Sequence, residues 1–371
     1  MPGPIQRGSA FVERILSDGV ETVNTKKVSI DGDEDIILRI PTDYSTLDEA
    51  LTAASQFVPA RQFEIVIVVE SGHEITDPVY LTETDLRGVR LTAEDDTVAV
   101  STNFPDGENI IEIDRAVGPV FDCKIDAQGN GNNGIYLNPT ATYMSVADPS
   151  VGLINAGRNG ITAVNGSIAG AYENDFSGAG RDAAFCGRAS MITLGGGVGP
   201  NLSNAGRHAI YSERGALVRT TDADCSGSGS HSIVSRKGAT VSADRAVVPN
   251  SGGMGLRAAE GGNIVAVDAE VESAASIGVF ATDDGHIVAP DTIVKDSGSS
   301  GVQANQGQIN IFGGEVTGSD GDDINIVRGN RINIHDCVTS SSTGGNPHLD
   351  DLSQTPNELT SDGFLLGSFE S

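Results

Sequence analysis

From residue 204 to residue 305 the apolar positions of the chain return every 23 residues. Ile210, Ile233, Leu256, Val279 and Val302 form one such column. Eight residues further on runs a second, Val218, Val241, Ile264 and Ile287, and then a third, Cys225, Val248, Val271 and Val294. Ala223, Ala246, Ala269 and Thr292 accompany the third. Three short apolar segments per 23 residues, separated by turns, predict one coil of a β-helix. The Val and Ile in these columns suit stacked, pleated strands. A single coil cannot bury its own apolar face, so the pattern requires stacking. The turns repeat as well. Gly215, Gly238 and Gly261 share one slot, and Asp284 takes the next occurrence of it; both residue types tolerate a left-handed backbone. Small polar residues fill another turn, as in Asn204-Ala205-Gly206, Ser226-Gly227-Ser228-Gly229 and Asn250-Ser251-Gly252-Gly253. They are expected to hydrogen-bond along the axis. The period excludes ankyrin repeats, and the absence of a regular Leu pattern excludes leucine-rich ones.

The same phrases extend backward with coils of roughly 24 to 26 residues, through Asn133-Gly134-Ile135, Asn159-Gly160-Ile161 and Ala183-Ala184-Phe185. Forward, Gly307-Gln308-Ile309-Asn310-Ile311 returns as Gly329-Asn330-Arg331-Ile332-Asn333-Ile334. The prediction is an all-β chain, a right-handed parallel β-helix of about 23-residue coils over residues 108–340 with a small α/β N-terminal cap over 36–107. In the cap, Leu47, Leu51 and Ala54 have helical spacing, with Ser45 or Thr46 as N-cap and Glu49 completing a capping box. Phe63 to Val69 reads as a buried strand. Residues 1–35 are expected to be an attachment segment. Residues 341–371, which include Gly363-Phe364-Leu365-Leu366, are expected to fold onto the last coil or a neighbouring subunit.

Composition narrows the setting. The formal net charge is −28, from 51 acidic and 23 basic residues, and only five of the basic residues are Lys. The acids are dispersed along the chain. Such a surface stays soluble where salt screens self-repulsion, which points to a saline environment. It also argues against nucleic-acid binding, which needs a basic face. Cys123, Cys186, Cys225 and Cys337 lie far apart, without zinc spacing; Cys225 is expected to be a buried apolar residue because it sits in a Val column. The first residues lack the apolar stretch of a signal peptide, and no run of about 18 apolar residues suggests membrane insertion.

The segment Ile40-Pro41-Thr42-Asp43-Tyr44-Ser45-Thr46-Leu47-Asp48-Glu49-Ala50 resembles the opening of pectin-lyase-like β-helix proteins. Together with Glu70-Ser71-Gly72-His73-Glu74-Ile75, Asn103-Phe104-Pro105-Asp106-Gly107, the Asn-Gly-Ile coils and Asn357 to Gly363, it is similar to tail fibre and tailspike-type proteins of tailed viruses. The echoes span about residues 36–367. The resemblance implies a homotrimeric virion appendage that is assembled in the host cytoplasm. It would be joined to other tail or capsid proteins through its N-terminal segment and would touch a host-surface glycan or glycoprotein. With the acidic composition, the host is expected to be a halophilic archaeon. A capsid turret or baseplate component would use the same β-helix, and a polysaccharide lyase or hydrolase is the alternative.

A lyase needs a cation such as Ca²⁺ on carboxylates and a basic side chain, and a hydrolase needs two carboxylates across a groove. The column Asp222, Arg245, Asp268 and Asp291, with Asp224 and Glu270 beside it, is the candidate carboxylate series. Asp268 and Glu270 are expected on one face of a strand, roughly 7 Å apart. The competing reading is a solvated ladder bridged by Arg245. Arg158, Arg181 and Arg207, each after an Ala-Gly pair, are candidates for binding an anionic sugar or a neighbouring subunit's acids, or else for pairing with the acids beside them. His73 and His208 read as lone structural histidines. Asp122 and Asp126 are candidate cation ligands or plain surface acids. No cofactor is required, though Ca²⁺, Mg²⁺ or Na⁺ would suit the acidic surface. Aromatic side chains for sugar stacking look scarce on the regular coils.

Overall fold

In the computed structural model, residues 28–30, 35–59, 64–327, 331–335, 337–339, 350–351 and 358–360 are described. They form a right-handed parallel β-helix of about 12 turns. The segments expected at 1–27 and 361–371 lie outside the described residues, as does the Ser/Gly-rich stretch 340–345.

Each regular coil gives one strand to each of three parallel sheets. Among the described residues the first sheet has 12 strands, the second 16 and the third 5. In the first sheet the strands run Asn133–Asn138, Asn159–Ala163, Asp182–Gly187, His208–Glu213, Ile233–Arg236, Leu256–Ala259 and onward, each paired with the next. Ile135, Ile161, Ala184, Ile210, Ile233, Leu256, Val279 and Val302 are register partners in it. The sequence period is thus a hydrogen-bond register, with coils about 4.8 Å apart. All of these side chains are buried, as are those of the Val218 and Cys225 columns. The coils are not all equal. Two of them, from Ile135 to Ile161 and from Ala184 to Ile210, take 26 residues, while the coil before the first takes 24 and the coil after each takes 23. The extra residues fall in turns, so the strands stay in line.

The turns bend where the glycine column marks them. Gly215, Gly238 and Gly261 have φ of +71°, +72° and +74°, and Asp284 has +61°. Asn204 and Asn250 hold left-handed turns at +56° and +57°. Glycine is also needed where successive turns touch: a Cβ on Gly206 would stand 2.2 Å from the Gly180 carbonyl oxygen of the previous coil.

Helix α1, Leu47–Ala54, begins at the Thr46 cap, whose side chain accepts from the Glu49 N–H. The Glu49 carboxylate accepts in return, at 3.0 Å, from the Ser45 N–H rather than from Thr46. Its face of Leu47, Ala50, Leu51 and Ala54 is buried against the first strands. Strands Ile36–Ile40, Ile65–Val69 and Val89–Val100 already belong to the second sheet. The hydrogen bonding therefore crosses residue 107 without a break, and the segment expected to be a cap contributes full strands to the solenoid.

Candidate functional site

The column of Asp222, Arg245, Asp268 and Asp291 does not stand on a strand. Asp222, Arg245, Asp268 and Asp291 occupy left-handed turn positions, with φ of +56°, +51°, +52° and +52°. The strand begins only at Glu270 (Glu270–Glu272) in the third sheet. The 23-residue spacing gave the stacking correctly, but a turn residue and a strand residue do not share a face through alternation. Arg245 forms a bidentate bridge to Asp222, with both contacts at 2.7 Å, which holds the Asp222 carboxyl below its ordinary range. Asp126 accepts from the Gln128 N–H and the Asn155 amide, and Asp122 faces Arg90 at 3.5 Å. Among the described residues no group of three or more His, Cys, Asp or Glu side chains is placed to hold a metal ion.

The arginine series leads elsewhere. Arg158 and Arg181 line a cleft of about 330 Å³ on the outer face of the first sheet, with Arg188, Arg214, Tyr136, Phe185 and Tyr211. Arg207 adjoins it, its guanidinium 4.9 Å over the Tyr211 ring. The aromatics form the floor because each follows an inward residue of the Ile column. Strand alternation then turns Tyr136, Thr162, Phe185, Tyr211, Val234 and Arg257 outward as register partners. Phe185 and Tyr211 are stacked at 5.6 Å with planes 9° apart. Between residues 204 and 305 aromatics are few, as expected, Tyr211 and Phe280; both lie in the outward column that also holds Tyr136 and Phe185. The signal was present in the sequence, one residue after each apolar anchor. It was hidden because the 26-residue coils break the fixed period.

At the start of these strands runs a polar ladder. Asn133 donates to Asn109 at 2.7 Å and Asn159 donates to Asn133 at 2.8 Å. Asp182 and His208 continue it as register partners. The Asp182 carboxylate is fully buried. It accepts from Arg207 Nε at 3.0 Å and Nη2 at 2.8 Å, and lies 3.4 Å from Arg181 Nε. Burial pushes its pKa up, against the pull of Arg207, Arg181 and Arg158. Burial in turn lowers the Arg181 pKa, with Arg207 and Arg158 adding to the effect.

His208 is not a lone residue. Its ring stacks on Tyr211 at 5.3 Å and on His231 at 5.5 Å. Its Nδ1 lies 2.7 Å from the His231 carbonyl, so that nitrogen carries the proton and Nε2 keeps its lone pair. Burial depresses the His208 pKa to about 3 and the His231 pKa to about 4, with nearby arginines reinforcing both. Both rings are therefore neutral at neutral pH.

Among the described residues most cations are matched by acids, as a net charge of −28 would suggest. On this face several are not. Arg158 donates only to the Asn132 amide oxygen and Arg188 only to that of Asn165. Among the described residues, neither they nor Arg257 have a carboxylate within ion-pair distance. Arg207, Arg214, Arg236 and Lys237 are paired with Asp182, Glu213, Glu260 and Glu213 respectively. The arrangement is a basic strip floored by aromatic rings on an otherwise acidic protein. It can bind an anion by charge-assisted hydrogen bonds.

No protein-family model matches the chain, and no curated protein sequence matches it. Its fold is similar to the crystal structure of the periplasmic alginate epimerase AlgG, at 9% identity and a TM-score of 0.53, over 88% of this chain and 84% of that one. Two viral structures are also similar. The Dettilon tailspike protein has 10% identity and a TM-score of 0.47, over 82% of this chain and 62% of that one. Geobacillus virus E2 ORF18 has 10% identity and a TM-score of 0.44, over 85% and 57%. At such identities the likeness is one of fold alone, the parallel β-helix.

Proposed function

We propose that this chain is a glycan-recognising virion appendage of the tail fibre or spike kind, and that the outer face of the first sheet binds an acidic host-surface polysaccharide. One observation carries the binding reading: arginines left without carboxylates beside an aromatic floor, on a protein with 51 acids for 23 bases. The segments resembling tail fibre proteins support the virion setting, with homotrimeric assembly and docking of residues 1–35 onto other particle proteins. The dispersed acidic surface supports a host from a saline habitat. Salt screens exposed charges beyond about 8 Å at physiological strength and over shorter distances in brine. Under those conditions, recognition rests on short charge-assisted hydrogen bonds rather than on long-range attraction.

Affinity electrophoresis through gels containing acidic or neutral polysaccharide tests the binding reading. Retardation is expected in acidic polymers and not in dextran. Equal mobility in all gels would remove the basis for the proposal. Incubation with the same polymers, followed by assay for reducing ends or unsaturated products, separates binding from cleavage. Immunolabelling of purified particles tests the virion setting.

A further inference from the structure

The outer face of the second sheet is unlike the rest of this acidic surface. From strand Thr142–Ser145 to strand Gln308–Phe312 the sheet passes through seven coil steps, roughly 34 Å at about 4.8 Å per step. Strand alternation turns two columns outward over that length. One runs from Thr142 to Gln308 by way of Ile168, Met191 and Leu217; the other runs from Met144 to Asn310. Neither column contains an Asp or a Glu, and Arg219 and His286 are their only titratable side chains, in a chain with 51 acids.

The same face holds much of the exposed apolar surface. Ile168 is 45% exposed and Met144 42%, Met191 and Leu217 continue the Ile168 column partly exposed, and Phe312 stands exposed at the far end. The third sheet differs, with Glu270, Glu272 and Glu315 pointing outward. Acids also return at both margins of the second sheet. Glu260 and Asp284 occupy turns before its strands, and Asp222, Asp268 and Asp291 occupy turns after them. A contiguous apolar strip with a polar rim marks a protein contact. The two columns hold no Phe, Tyr or Trp and one fixed cation, so they offer a glycan or a nucleic acid little to hold.

The charge selects the partner. At a net charge of −28, two copies of this chain repel each other wherever their acidic faces meet. A copy is received only where acids are absent. Symmetry adds a second condition. Three copies with parallel axes bring the same column of each copy together at the same height about a threefold. An acid in such a column would face two of its own kind, whereas neutral and apolar side chains meet their copies without that cost. Arg219 is the exception. Among the described residues, neither it nor Asp244, one coil step on and one alternation further along the strand, is in an ion pair. Across copies, each can neutralise the other.

Resting on the homotrimeric reading above, we infer that the outer face of the second sheet between Thr142 and Asn310 is the surface on which three copies of this chain meet.

The test uses the full chain at one ionic strength. Light scattering after size exclusion is expected to give the mass of three chains for the parent. Ile168→Glu combined with Met144→Glu sets acids at two exposed positions of the strip. It is expected to raise the dissociation constant at least about a hundredfold through like-charge contact, with an unchanged far-UV spectrum. Val247→Glu, at a comparably exposed apolar position on the third sheet, is expected to leave the trimer intact. If the double variant unfolds, Thr240→Cys decides instead. A short bismaleimide should link its copies through the shared column and leave Thr317→Cys on the third sheet unlinked; the four native cysteines are buried. A trimer that survives the acid pair, one that Val247→Glu dissolves equally, or Thr240→Cys left unlinked overturns the assignment of this face while the homotrimeric reading stands. A monomeric parent overturns both.

Discussion

Mild acid is expected to destabilise this chain through its buried histidines, ahead of its carboxylates. His208 has an ordinary pKa of 6.5 when unfolded and about 3 in the fold. Above pH 6.5 both states hold it neutral and it contributes nothing to the balance. Below 6.5 the unfolded chain takes up a proton that the folded chain refuses, so stability falls with pH down to the folded value and then levels. At about pH 5 the unfolded state has gained about 1.5 log units of protonation, worth about 2 kcal/mol at about 1.4 kcal/mol per unit. His231, with a folded pKa of about 4, adds a similar but smaller amount, because it is partly exposed and screened. The window from about pH 7.5 to about pH 5 lies above the usual carboxylate range, so the exposed acids stay ionised, and comparison with the variant cancels the buried Asp182, whose pKa burial raises. The assay is urea denaturation of the parent and of His208→Gln at both ends of that window. Gln cannot titrate, yet its amide can still donate to the His231 carbonyl. The variant should lose about 2 kcal/mol less than the parent on acidification. Equal losses in the two proteins would refute the claim that the fold excludes the His208 proton.

Three further outcomes follow from the geometry. Asp182→Ala strips the buried partner from Arg207 and Arg181 and should destabilise by about 3–5 kcal/mol, read from the same denaturation curves; a change near zero would mean that solvent already replaces the carboxylate. Asp284→Gly places glycine at φ +61°, in the slot filled by Gly215, Gly238 and Gly261, and should raise stability by up to about 1 kcal/mol by relieving left-handed strain. Thr46→Ala removes the cap of α1 and should cost about 1 kcal/mol, detectable as a lower Tm.

The regular coils from 204 to 305 were legible because each residue column meets itself one coil later. Identical environments select identical residue types, so Ile, Val and the turn glycines wrote the register into the chain. Arg158, Arg181 and Arg207 were legible as candidates by the same repetition. Tyr136, Phe185 and Tyr211 were not, since two 26-residue coils displaced them from a 23-residue count. The Asp268–Glu270 pairing failed for a different reason. Spacing reports which residues stack between coils but not where within a coil a strand ends and a turn begins, and Asp268 lies just before that boundary.

By itself the sequence determined the coil, its period, its buried columns and its left-handed turns, because these depend on near-neighbour physics repeated along one axis. Only the tertiary structure decided which outward residues share a face. It set Arg207 over Tyr211 and buried Asp182 beneath two arginines. It left Arg158, Arg188 and Arg257 without acids in a protein that has acids to spare. Those relations join residues on different coils, and they depend on how turns of unequal length bring the strands back into line.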